Sequence, residues 1–277
     1  MNAFLKFQEQ LETTFLEKSQ AQTFPEICVE HIHLFQNYIA PQFSYNKFSN
    51  RIARARNPLY QVDDLISYIA LYGLAHYQRL RTLFEQHNLT DAQVEKLCIV
   101  DYACGQGIGT LAYLEHWLES DSRTVVDEIE VILIEPSPLA LKRAIYWIEK
   151  KSKQHDLNIK ITAHNCYFDD LDPHVLDQAG SHIIHIFSNI LDIYHEGSYS
   201  MKKLIDLLRH NKTQQYIFAV SPSFYSGQKG FDYMHNFLQP DTVFQNDSGL
   251  VFIDEYHAQS ARMRSRYASA RFYAAKF

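Results

Sequence analysis

Apolar positions recur at three- and four-residue spacing through the first part of the chain. Phe4, Phe7, Leu11 and Phe15 form one stripe. Ile27, Cys28, His31, Ile32, Phe35 and Tyr38 form a second, opened by Pro25 and closed by Pro41. An Arg-rich segment follows and is broken at Asn57-Pro58. Leu65, Ile66, Ile69, Leu71, Leu74, Leu80 and Phe84 then predict a long helix over about 63–86, with Asp63 or Asp64 as its N-cap. Beyond residue 97 the pattern changes. Short apolar runs at 97–103, 131–134, 159–163, 182–187, 216–220 and 250–253 alternate with helical patterns at about 108–118, 139–150, 201–209 and 231–237. Strands that alternate with helices require crossover connections, so a mostly parallel sheet with helices on both faces is predicted. Alternation over 262–277 predicts a last strand, antiparallel and at an edge. The chain therefore divides into a helical N-terminal extension, 1–96, and an α/β domain, 97–277.

Composition narrows the partners. Of 277 residues, 46% are hydrophobic and 21% charged, a balance that supports a packed core rather than disorder. Aromatic residues reach 14%, enough to fill that core and still line a ligand pocket. A net charge of −6 opposes general nucleic-acid coating, so any such contact is expected only through local clusters: Arg51, Arg54 and Arg56, or Arg262, Arg264 and Arg266 on one face of the last strand. Charge on that strand equally protects a sheet edge from aggregation. Cys28, Cys98, Cys104 and Cys166 match no disulfide or zinc spacing, which suits a reducing compartment. No signal-peptide pattern opens the chain, and no apolar run approaches the roughly 18 residues of a membrane span. A soluble cytoplasmic protein is expected, without a membrane partner. No metal is expected either: His182 and His185 fall on opposite faces of one strand, and His31 and His33 do not share a helix face.

The stretch from Cys98 to Thr110 is the most informative for function. An apolar strand ends in an acid, Asp101, and a turn with glycines at 105, 107 and 109 leads into a helix. Glycines permit a tight turn and let a ligand touch the main chain. The N-terminus of the following helix favours a carboxylate or phosphate, while Asp101 favours a cation. A ligand with an amino group and a carboxylate at one end satisfies both, and S-adenosylmethionine is one.

Val100-Asp101-Tyr102-Ala103-Cys104-Gly105-Gln106-Gly107-Ile108-Gly109 resembles the first motif of the class I, Rossmann-like S-adenosylmethionine-dependent methyltransferases, with Ala103 in place of the first usual glycine. The resemblance covers about residues 97–255. It implies a Rossmann-like α/β fold, S-adenosylmethionine as cofactor, and methyl transfer to an acceptor (a small molecule, protein or RNA) that the sequence does not identify. It assigns Asp101, Ala103, Gly105 and Gly107 to the cofactor cradle. It also assigns Glu135, followed by Pro136, to the ribose hydroxyls: a carboxylate has two oxygens and can hold a vicinal diol. Adenine contacts fall among Asn165, Cys166 and Tyr167. The loop after the fourth strand, with Asn189, Asp192 and His195, faces the transferred methyl, and Asp192 is the candidate catalytic residue. Asp192 also has a purely structural reading, as the cap of a following helix. Ser221-Pro222-Ser223-Phe224-Tyr225 after the fifth strand either lines a substrate pocket or simply turns at Pro222. Ser188-Asn189-Ile190-Leu191 lacks the Asn/Asp-Pro-Pro-aromatic motif of enzymes that methylate DNA amines. Tyr68, Tyr72, His76 and Tyr77 lie on the helix that precedes the motif, either as packing residues or as a cover over the ligand.

Two other readings remain open. A non-catalytic binding or regulatory module would keep the fold without the chemistry. An NAD-linked oxidoreductase fits less well, because Thr110 stands where its third glycine belongs. Its ribose acid is also expected roughly 20 residues on, whereas Glu135 lies 30 beyond Gly105.

Overall fold

The computed structural model describes residues 15–53, 57–87, 96–120, 126–177, 182–194, 200–210, 214–223 and 228–277. Phe4, Phe7 and Leu11, together with Arg54, Arg56, His195, Phe224 and Tyr225, lie outside the described residues.

Helix α1, Phe24–Leu34, starts with a capping box. The Thr23 hydroxyl accepts from the Glu26 amide, Glu26 reaches back to the Thr23 amide, and Pro25 sits in the first turn. It runs on through a π turn, Phe35–Ile39. Helix α2 spans Tyr45–Ile52. Helices α3, Val62–Tyr68, and α4, Leu74–Gln86, are joined by a second π turn, Ile69–Gly73, and form one continuous rod. The expected cap is displaced: Gln61 is the N-cap, and it makes no side-chain cap. Asp64 is instead recruited by Arg51, whose guanidinium donates to both its oxygens.

Seven strands follow: β1 Lys96–Tyr102, β2 Glu128–Ile134, β3 Ile159–His164, β4 His182–Ser188, β5 Gln214–Pro222, β6 Thr242–His257 and β7 Arg262–Lys276. They build one sheet in the order β3-β2-β1-β4-β5-β7-β6. β1 to β5 are parallel, and β7 runs antiparallel to both its neighbours. The last strand is therefore not at the edge. Its inner half, Ala270 and Phe272 to Ala275, is buried between β5 and β6, so the edge falls to β6, which leaves Leu250 and Phe252 exposed. Arg266 holds Glu255 across this hairpin with two hydrogen bonds.

Helices α5, Ile108–Glu119, α6, Pro138–His155, α7, Met201–His210, and α8, Gln228–Leu238, complete the layers. Alternate strand residues serve opposite cores. Leu97, Ile99, Val131, Leu133, Ile184 and Ile186 pack with residues of α1, α4, α5 and α6. Cys98, Val100, Ile132, Ile134, Ile183 and Phe187 pack with residues of α7 and α8. Strands covered on both faces read as continuous apolar runs, which is why they stand out in the sequence. The order of connections reverses between β1 and β4. In an open sheet of this kind the crevice at the strands' C-terminal ends, at that reversal, is where ligands bind.

Candidate functional site

The glycine turn sits at that reversal. Ala103, Gly105 and Gly107 have φ of 51°, 54° and 82°. The turn is stitched by Gly107 N donating to Cys104 O at 2.8 Å and Cys104 N donating to Ile134 O at 3.0 Å. Each glycine has its own steric reason. A Cβ on Gly105 would meet nothing within 4 Å, because this residue faces open space. A Cβ on Gly107 would stand 3.1 Å from Ala144 Cβ, so this glycine lets α6 pack close. A Cβ on Gly109 would stand 2.8 Å from Asp101 Oδ2 and from Ile186 Cγ2.

Two acids flank the turn. Glu135, at the end of β2, accepts from Gly105 N at 2.9 Å and Ser137 N at 2.8 Å. Each oxygen keeps a further lone pair for a ligand hydroxyl. Burial pushes its carboxyl up to about 6, although both backbone bonds pull the other way. Asp101 is fully buried behind the turn. Its Oδ2 accepts from the Thr110 amide and hydroxyl, both at 2.9 Å, while Oδ1 has no hydrogen-bond partner among the described residues. Burial pushes it up to about 7, against the Thr110 bonds and with a further push from Glu135. Thr110 thus serves the fold: it commits an amide at the start of α5 to an internal carboxylate.

A cavity of about 540 Å³ opens beside Gly105, within the range usual for small-molecule sites, about 300–1,000 Å³. Ala103, Gly105 and Gln106 form one wall, and Glu135 and Pro136 the next. The segment after β3 contributes Cys166, Tyr167, Phe168, Asp169 and Asp170, and the end of β4 contributes Ser188, Asn189, Ile190 and Ile193. Asn57, Pro58, Leu59 and Tyr68 close it from the helical N-terminal side.

Of the residues singled out in the sequence, Ala103, Gly105, Glu135, Pro136, Cys166, Tyr167 and Asn189 come together on this cavity. Asp101 and Gly107 do not line it; they shape the turn from behind. Asn165 braces rather than lines, with its amide donating to the backbone oxygens of Glu135 and Pro136 at 2.9 and 3.0 Å. Ser221 and Pro222 pair with β7 and do not line the cavity. Asp192 lies inside the short turn Leu191–Ile193 rather than at a helix N-cap. It is off the cavity wall, where its charge acts on Tyr68 and Arg79.

Sequence reasoning missed the strap at 57–59. Ser137 Oγ donates to Leu59 O, and Gln106 Nε2 donates to Leu65 O at 3.0 Å. Gln106 in turn accepts from the fully buried Arg143 at 2.9 Å. The only linear trace of this strap is the Asn57-Pro58 break.

Behind Tyr68 the rod carries a polar face. The Tyr68 ring lies 5.5 Å from that of Tyr72 and 5.6 Å from that of His76. Burial pushes the Tyr68 phenol upward, helped by the charges of Asp192 and Glu135. Burial pulls His76 down to about 3, so its imidazole is neutral. Arg79, 6% exposed, is lowered to about 10 by burial and by Arg266.

The two raised acids give a pH signature with a definite sign. Between about pH 4 and pH 7 the folded chain retains protons on Asp101 and Glu135 that the unfolded chain has released. These groups therefore make folding less favourable as pH rises through that window. Melting temperature measured from pH 4.5 to 7.5 is expected to show this slope reduced in Asp101→Asn; an identical slope in the variant would contradict it.

No family model matches the chain, and no curated protein matches it. Among solved structures, it is similar to one described for the conversion of a disulfide bond into a thioacetal group during echinomycin biosynthesis. That match has 12% identity, 74% of this chain, 84% of the other and a TM-score of 0.46. It is also similar to an S-adenosylmethionine-dependent methyltransferase from Anabaena variabilis, at 12% identity, 83% and 93% coverage and a TM-score of 0.44. A third match is the C-terminal domain of precorrin-6Y C5,15-methyltransferase from Rhodobacter capsulatus, at 12%, 72% and 88% coverage and 0.41. At these values the chain's own geometry, not its neighbours, carries the functional reading.

Proposed function

We propose that the chain is an S-adenosylmethionine-dependent methyltransferase of the class I, Rossmann-like type. One observation carries the reading: the Glu135 carboxylate stands on the wall of a cavity of ligand size, hydrogen-bonded to the amide of Gly105, whose missing side chain leaves that wall open. An acceptor of two hydroxyl hydrogens beside an unobstructed main chain suits a ribose attached to a flat base. Cys166, Tyr167 and Phe168 supply an apolar and aromatic surface for that base. Asp101, with one oxygen unpaired among the described residues, stands behind the turn and in its ionised form favours the ligand's amino group.

When bound, the cofactor supplies an electrophilic methyl on a sulfonium whose leaving thioether is neutral, so alignment of the acceptor supplies much of the rate. This chain's share is to orient and to exclude water. The strap at 57–59 and Tyr68 cover the cavity, and Asn189 holds the β4 end in a left-handed turn, φ 57°, with its backbone N–H donating to Val220 O at 2.9 Å. Asp192, off the cavity wall, bears on the site through its charge on Tyr68, and no catalytic step is given to it. The segment 1–96, through its described helices, acts as a cap, and 97–277 as the cofactor-binding domain. Among the described residues no helix is long and apolar enough to cross a membrane. Arg51 and Arg266 are tied to Asp64 and Glu255, which takes one member of each Arg cluster out of a nucleic-acid surface.

Calorimetric titration with S-adenosylhomocysteine and, separately, NADH tests the reading. Saturable binding of the first and none of the second is expected. No heat from S-adenosylhomocysteine at millimolar concentration, or tighter binding of NADH, would overturn it.

A further inference from the structure

On the far side of the β3–β4 connection, three ligand-type side chains meet away from the cavity. His174 and Asp177 belong to the short turn that follows Asp172, and His210 is the last residue of α7. His174 Nδ1 lies 2.7 Å from Asp177 Oδ2, and His210 Nε2 lies 2.9 Å from Asp177 Oδ1. One ligand atom from each residue lies within 4.8 Å of the others.

The local structure explains why they converge. In a 3₁₀ turn, side chains at i and i+3 eclipse, which places His174 and Asp177 on one side. The turn is fixed by Asp172, whose carboxylate accepts from the His174 amide at 3.0 Å. His210 enters at the C-terminus of a ten-residue helix, the end of the helix dipole that favours a positive charge. The two imidazole rings stand 5.0 Å apart and nearly perpendicular, so neither blocks the other's nitrogen.

We propose that His174, Asp177 and His210 form a binding site for a divalent transition-metal ion such as zinc or nickel. The donor set is two imidazole nitrogens and one carboxylate oxygen, with the remaining positions open to water. Imidazole selects the later first-row ions over magnesium and calcium, which take all-oxygen sites. Binding needs each imidazole unprotonated at its ligating nitrogen, so a hydrogen now directed at Asp177 moves to the other ring nitrogen or to solvent as the ion enters. The side chains are exposed, with His174 70% and His210 35% accessible, so they can turn the short way to ligand distances, about 2.0–2.2 Å for zinc.

The location gives the site a mechanical consequence. The segment from Tyr167 to Asp177 carries one wall of the cavity at its start and two of the metal ligands at its end. Its start is already pinned to the other end of α7: Asp169 accepts from the Ser200 amide at 2.9 Å, and Lys203 Nζ donates to Asp169 O at 2.8 Å. A metal at His174, Asp177 and His210 would pin the other end, clamping the cavity wall to α7 at both ends. Sequence reasoning expects no metal, because it compares histidines close together in the chain; these ligands come from two separated elements. The site stands whether or not the cavity binds an adenosyl ligand.

The test is calorimetric titration of zinc chloride into the full chain, free of any affinity tag, against His174→Ala, His210→Gln and the control His257→Ala. One saturable site is expected, with zinc and nickel binding and magnesium and calcium silent. Both ligand variants should weaken zinc by at least about tenfold, the control leaving it unchanged. Hydrogen exchange over 167–177 should slow when zinc is added to the wild type and not in either ligand variant. No saturable zinc binding below about 1 mM, or equal affinity in wild type and both ligand variants, would overturn the site.

Discussion

Glu135→Ala is expected to weaken S-adenosylhomocysteine binding by roughly 100-fold, the largest functional effect of any single replacement in the cavity. Hydrogen bonds to a charged acceptor are each worth about 1.5–3 kcal/mol, and about 1.4 kcal/mol is a factor of ten. Two ribose hydroxyls on one carboxylate, partly replaced by water in the variant, leave a loss of about 3 kcal/mol. Glu135 also holds the amides of Gly105 and Ser137, so its removal loosens the turn that faces the ligand. Glu135→Gln separates the two roles poorly, because one end of an amide is a donor and would confront one of those N–H groups. It should bind almost as weakly as the alanine variant. Calorimetry on both variants checks this, and affinity within threefold of wild type in both would remove Glu135 from the ribose site.

The largest expected effect on stability comes from Gly109→Ala. The added methyl would stand 2.8 Å from Asp101 Oδ2 on one side and Ile186 Cγ2 on the other. Neither neighbour can withdraw cheaply. The carboxylate is fixed by two bonds from Thr110 and is fully buried, and Ile186 pairs with Asp101 across the β1–β4 ladder. Overpacking of this kind costs about 1–3 kcal/mol, and displacement of the carboxylate puts the variant at the upper end. That corresponds to a drop in melting temperature of roughly 6–12 °C, at about 2–4 °C per kcal/mol for a chain of this size. Gly105→Ala is the informative contrast. Its Cβ would meet nothing within 4 Å, so stability falls only by the left-handed backbone cost, about 1 kcal/mol. Ligand affinity falls further, because the methyl points into the cavity. Thermal unfolding of both separates the two glycines; equal melting temperatures would contradict the assignment.

The sheet was legible because its parallel strands are apolar on both faces. All five can be placed from the sequence to within a few residues, and so can the four helices among them. The outer hairpin was legible only in part: β7 falls where 262–277 was expected and is antiparallel, but of β6 only 250–253 was expected. β6 runs from Thr242 to His257, but its first half is exposed and carries Asp247-Ser248-Gly249, residue types that are depleted in strands. Inversion of the last two strands is a tertiary fact: whether β7 lies inside β6 depends on which of them meets β5, and alternation within each strand does not encode that. The long helix was visible, but the π turn at Ile69–Gly73 was not, since a single extra residue in a helical turn hardly alters apolar spacing.

The candidate site divides in the same way. Glu135, Gly105 and the residues after β3 are legible because they follow strand ends, and strand ends open on the crevice. Asp101 was placed in the cradle by the same logic, yet the structure sets it behind the turn. Its partner is Thr110, nine residues on, and a hydroxyl aimed backwards has no sequence signature. The strap at 57–59 is held by Ser137 through Leu59 O, and the neighbouring α3 by Gln106 through Leu65 O, contacts that span 78 and 41 residues and leave no periodic trace.

A crystal structure of the chain with S-adenosylhomocysteine tests the central claim most directly. Ligand density is expected in the cavity beside Gly105, with both ribose hydroxyls within hydrogen-bond distance of the Glu135 oxygens and the base against Cys166, Tyr167 and Phe168. A ligand seated elsewhere, or one in the cavity whose ribose turns away from Glu135, would contradict it.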